Sequence, residues 1–134
     1  MLNQLRRMIG VALTVVALIG SQPVMHGQTA ATGRMMREKL AHAQALLEAL
    51  TTSNYGMLDR ESTALSRLTE TPRWRDQLKT PEFKGFSDNF QKAVTDLNAA
   101  AKARDLDTAA TLYSSMVTTC YQCHRHVKDA RVAR

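Results

Sequence analysis

Turn-forming residues are scarce in this chain: 6 Gly and 3 Pro among 134 residues. Ala, Leu, Met, Lys, Arg, Glu and Gln are plentiful instead, a mixture that favours helix over sheet. Aromatic residues make up only 5%. Dedicated nucleic-acid binders carry a dense basic face with exposed aromatics, and this chain has neither. Its formal charge is +6, and without Arg6 and Arg7 of the leader described below it is +4. Nucleic acid is therefore not an expected partner. Repeats of solenoid length and low-complexity tracts are also missing. The length suggests a single domain.

Long apolar runs are limited to one, Met8–Gly20. It is shorter than the ~20 residues of a membrane span. It suits a secretory signal, with Arg6 and Arg7 before it and small or polar residues after it. Residues 1–31 are expected to be a cleaved signal peptide, with the cut somewhere in 27–31. Residues 32–134 then form the mature domain, with no membrane span and a periplasmic location. An uncleaved anchor is the competing reading of the same run. A mature domain of about 100 residues buries a modest core, which a bound cofactor would strengthen.

The folded part reads as four helices. The first runs from about Thr32 or Gly33 to Leu50, capped by Thr32. Met36, Leu40, Ala43, Leu47 and Leu50 recur along one face of it. The second runs from Asn54 to Thr69, with Met57, Leu58, Leu65 and Leu68 on its apolar side and Pro72 preventing its continuation. Glu61 sits in the middle of that side, as a snorkelling carboxylate beside an arginine. Residues 70–80 are a connector. The third helix opens on Thr80-Pro81-Glu82 and places Phe83, Phe86, Phe90, Val94, Leu97 and Ala101 on one stripe. The fourth starts near Asp105 and runs to Val127 or beyond, with Leu106, Ala109, Tyr113, Met116, Val117, Cys120, His124 and Val127 inward. Short links make neighbours antiparallel, so the expected fold is all-α: an up-down-up-down four-helix bundle.

Only two cysteines occur, and both fall in Cys120-Tyr121-Gln122-Cys123-His124. Export usually implies an oxidising compartment, yet two cysteines three apart on one helix are poorly placed for a disulfide. The spacing is the Cys-x-x-Cys-His attachment signature of a c-type haem. Each thiol adds to one vinyl group of the porphyrin, and the adjacent histidine reaches the iron. On a helix the three positions cluster on one side. One covalent haem c held by Cys120 and Cys123, with His124 as proximal iron ligand, is the expected cofactor. Zinc would need four ligands, and drawing them from Cys120, Cys123, His124, His126 and the distant His42 is strained. A thioredoxin-like redox pair expects a strand before the motif, and no strand pattern is present.

The motif lies on the last helix of an all-helical chain, followed by Arg125-His126-Val127-Lys128, an apolar residue and then a base. On these residues the sequence resembles the class II c-type cytochromes, the cytochrome c-prime family and its low-spin relatives. That resemblance covers the mature chain in outline and only the C-terminal stretch in residues. It implies a bundle with haem at one end, and a homodimer through the first two helices. In the low-spin relatives a Met early in the first helix is the sixth ligand. Met36 matches that place, since the start of helix 1 and the end of helix 4 share one end of the bundle. Otherwise Met36 is core; Met35 and His42 are the next candidates. Phe83 and Phe86 begin helix 3 at the same end and are candidate haem-wall residues. Tyr113 reads as core. Arg125, Lys128, Arg131 and Arg134 either dock an acidic redox partner or pair with haem propionates, or simply suit a helix C-terminus.

No acid–base pair or nucleophile accompanies the motif, so an enzyme is not expected. The expected function is electron transfer by an exported mono-haem cytochrome. Two alternatives stay open: a five-coordinate gas-binding haem protein, and a zinc-binding or structural bundle.

Overall fold

The computed structural model describes residues 24–76 and 79–132, so the apolar run Met8–Gly20 and most of the expected signal lie outside it. The chain is all-helical, with five helices and no strand among the described residues. They are α1 (Val24–Thr51), α2 (Tyr55–Glu70), α3 (Pro72–Arg75), α4 (Pro81–Ala103) and α5 (Leu106–Val132). Two compact units are present, Met1–Arg34 and Met35–Arg134. In the first, the described part is the opening of α1. Packing of the helices on one another belongs to the second. No helix among the described residues is long and apolar enough to cross a membrane.

Local chemistry sets most helix ends where the sequence places them. Asn54 caps α2, its side chain accepting from the Met57 N–H at 3.0 Å. Thr80 caps α4 by accepting from the Phe83 N–H at 3.3 Å, with Pro81 at the first helical position. Arg104, in the left-handed region at φ 56, closes α4. Asp105 then caps α5, accepting from the Thr108 N–H at 3.0 Å.

Two boundaries differ from expectation. α1 does not begin at Thr32 but runs unbroken from Val24 through Gly27 and Gly33. A helix-interior glycine costs only about 1 kcal/mol, which the good formers around it outweigh. The connector after α2 also contains a helix. Residue Thr71, extended as expected before proline (ψ 147), ends α2 and starts α3 by accepting from the Trp74 N–H at 3.2 Å. That turn swings Trp74 inward, where it is 7% exposed and its indole N–H donates to Ser87 Oγ at 2.7 Å.

Hydrogen bonds define how consecutive long helices pair. His42 on α1 meets Glu61 on α2. Along α2 and α4, Gln91 bonds Ser66 and Thr69, whereas Asn98 bonds Asp59, Ser62 and Thr63. Rising numbers on one helix meet falling numbers on the other, so α2 and α4 run antiparallel. Between α4 and α5, Phe83 and Phe86 meet His126. The apolar core joins Leu46 and Ala49 of α1, Leu58 and Leu65 of α2, Phe90, Val94 and Leu97 of α4, and Met116 of α5.

The inner line of α1 is rotated from the one the sequence suggests. Leu40 and Leu47 are 57% and 50% exposed, whereas Met35 and Leu46 are 3% and 0% exposed. At about 100° per residue, Met35, Lys39 and Leu46 lie on one line and Met36 stands about 60° from Lys39. On α5, Met116 is buried as expected, whereas Val117 and His124, expected inside, are exposed and Thr119 is buried instead. Both helices carry wide apolar arcs, and packing, not periodicity, selects which edge goes in.

Candidate functional site

The Cys-x-x-Cys-His residues lie in one turn of α5. Cys120 and Cys123 are free thiols, each partly buried. Cys120 packs against the apolar core, and burial pushes both thiols above the ordinary cysteine range. His124 is exposed. At about 100° per residue the three side chains fan over roughly 100° of α5, with the sulfurs toward the protein and the imidazole at its flank.

Lys39 joins this place from α1. Its Nζ stands 3.6 Å from the Phe90 ring centroid and 4.1 Å from that of Trp74. It also lies within electrostatic reach of Cys120 and Cys123. Burial lowers its pKa to about 8, and the two sulfurs oppose that shift. Among the described residues, no carboxylate pairs with it. Sequence reasoning missed Lys39 as a neighbour of the motif, and Trp74 and Phe90 as the rings it lies on. The available signal was one Lys standing on the inner line of an otherwise apolar helix face.

The other expected site residues fall nearby or elsewhere. Met36 is partly buried on the flank of α1, and Met35 is buried. Phe83 and Phe86 pack on the His126 ring, both at 5.6 Å between centroids. A groove of about 250 Å³ beside them is lined by Phe86, Gln122, Arg125, His126 and Asp129. Arg125 and Lys128 are exposed; Arg134 lies outside the described residues. Tyr113 is partly buried against the core, as expected. Among the described residues, no three His, Cys, Asp or Glu side chains form a group able to hold a metal ion.

His42 is engaged away from the motif. Its Nδ1 and Glu61 Oε2 are 2.7 Å apart, and Arg60 Nε donates to Glu61 Oε1 at 2.9 Å. This explains the acid on the apolar side of α2. The His42 hydrogen bond, with help from Arg60, holds the Glu61 carboxyl below its ordinary 4.5. A depressed carboxyl contributes stability that is fully present above that ordinary value and is lost as pH falls through the folded one. Glu61→Gln should therefore destabilise by about 0.5–1 kcal/mol at neutral pH, because solvent screens the pair and Gln keeps an acceptor oxygen. The deficit should shrink below pH 4.5. Urea midpoints of both proteins across pH check this; a deficit that stays constant into acid refutes it.

No protein-family model, curated protein or solved structure matches the chain.

The residues fit a haem on their own chemistry. Two partly buried sulfurs stand three apart on one helix, with an exposed imidazole next to the second. An ammonium with no acid partner among the described residues lies within electrostatic reach of both sulfurs, over the faces of Trp74 and Phe90.

Proposed function

We propose that this chain is an exported c-type cytochrome that transfers electrons, folded as an up-down-up-down four-helix bundle with one covalent haem at one end. In this reading α1, α2, α4 and α5 are the four helices and α3 is part of a connector. The observation that carries it is the complete Cys120-x-x-Cys123-His124 unit, whose sulfurs are partly buried on one turn of α5 within electrostatic reach of Lys39. Cys120 and Cys123 hold the group and His124 is its proximal ligand. The bound haem would supply a one-electron couple whose potential depends on its axial ligands and its burial.

The chain's own residues do the rest. Trp74, pinned by Ser87, and Phe90 hold the Lys39 side chain against their ring faces, within reach of the motif sulfurs. Phe83, edge-on to His126, and Phe86, tilted against it, wall the site from the start of α4. Arg125 and Lys128 give the surface beside the motif a positive charge, which suits an acidic redox partner. The proposed location is the periplasm, and the class II cytochromes are the family whose pattern the motif follows.

A five-coordinate gas-binding haem protein is the second reading, favoured by the placement of Met36 off the buried line of α1. The visible spectrum of protein matured in a host with c-type assembly separates the two. Low-spin bands are expected, with slow carbon monoxide binding to the ferrous form. High-spin bands with rapid binding transfer the conclusion to the gas binder, and absence of haem bands removes both.

A further inference from the structure

We propose that the Lys39 amine, and not Met36, is the sixth ligand to the iron. The inference rests on the haem reading above and assigns the position that reading leaves open.

Four observations carry it. Lys39 occupies the inner line of α1, between Met35 and Leu46, which are 3% and 0% exposed. Its Nζ is directed inward, over the faces of Phe90 and Trp74 at 3.6 and 4.1 Å, and not out to solvent. Those faces are fixed: Phe90 is 3% exposed, and Trp74 is tied to Ser87. The same nitrogen is within electrostatic reach of both motif sulfurs. Among the described α1 side chains, Lys39 is the one that interacts electrostatically with both of these sulfurs. Met36 is about 60° away around the helix.

The chemistry agrees with the placement. Long basic side chains ordinarily snorkel their charge to water. Ring faces attract a cation but do not neutralise it, and a buried charge without a counter-charge is costly. Neutral amine avoids that cost and carries a free lone pair. On ligation the ammonium gives its proton to solvent and its lone pair to the iron. Nitrogen is a harder donor than a thioether, so it favours the ferric state. The carrier would then work at a lower potential than a methionine-ligated relative.

Magnetic circular dichroism and visible spectra of the ferric, haem-loaded protein test this. The set is wild type, Met36→Ala, Lys39→Ala and Lys39→Arg, with each mass checked for one haem. Expected is a low-spin wild type without a methionine–iron charge-transfer band, and an unchanged spectrum for Met36→Ala. Both Lys39 variants should become almost entirely high-spin. Arginine retains the charge but does not deprotonate, so a purely electrostatic role would survive in it. Lys39→Met should raise the reduction potential. The proposal is overturned by a methionine–iron band that Met36→Ala removes, by a high-spin wild type, or by a low-spin spectrum preserved in Lys39→Arg. Wild-type protein that carries no haem overturns both this inference and the reading beneath it; a loaded protein with unchanged Lys39 variants overturns this one alone.

Discussion

Cys120→Ser combined with Cys123→Ser is expected to abolish covalent haem attachment completely. Both thiols lie in one turn of α5 and face the protein, so each is placed to form one thioether. Intact mass after maturation in a c-type assembly host should show one added haem for the wild type and none for the double variant. Each single variant should retain at most one thioether, and His124→Ala should keep the covalent link while losing the proximal ligand. The double variant should also melt at a lower temperature, because a group that binds only the folded state adds to its stability. A wild-type mass equal to that of the bare chain would remove the cytochrome reading altogether.

Leu46→Ala should destabilise the protein by about 2–5 kcal/mol, and Leu47→Ala by less than about 1 kcal/mol. The two residues are adjacent and chemically identical, yet one is 0% and the other 50% exposed. Leu46 lies among Ala49, Leu58, Val94 and Met116 in the core, so truncating it leaves a cavity as well as losing transfer energy. In a domain with ~5–15 kcal/mol of stability the difference is large. Urea midpoints at unchanged slope give the answer. Equal losses, or a larger loss for Leu47, would mean that α1 presents the face suggested by its Leu40–Leu47–Leu50 periodicity.

That pair marks where sequence reasoning reached its limit. The helices themselves were legible because their signals are local. Asn54, Thr80-Pro81 and Asp105 act within one turn, and the structure uses each of them as a cap. The stripes of α2 and α4 were legible because each has a narrow apolar arc. On α1 the arc is wide, with Leu40, Leu46, Leu47 and Leu50 all apolar. Lys39 also interrupts the true inner line with a charge, so the eye follows the flank instead. α3 was missed because a four-residue helix has no periodicity, and its cap, Thr71-Pro72, reads equally well as a stop. The motif could be found from sequence because its spacing is chemical. Its surroundings could not: Lys39, Trp74 and Phe90 come from three separate segments, and only packing joins them. Glu61 was visible as an anomaly, but its partner His42 lies 19 residues away on another helix.

The links between the long helices carry a consequence for how quickly the chain organises itself. Three residues join α1 to α2, and two join α4 to α5. The bonds that dock helices then span modest lengths of chain, 19 residues for His42–Glu61 and 39 for Asn98–Asp59. Little loop entropy must be spent before each contact forms. Chains dominated by such near-neighbour contacts fold in roughly microseconds to milliseconds. The helices joined by these short links should therefore come together early, and the α2–α4 seam, which needs the longer closure, should complete the transition.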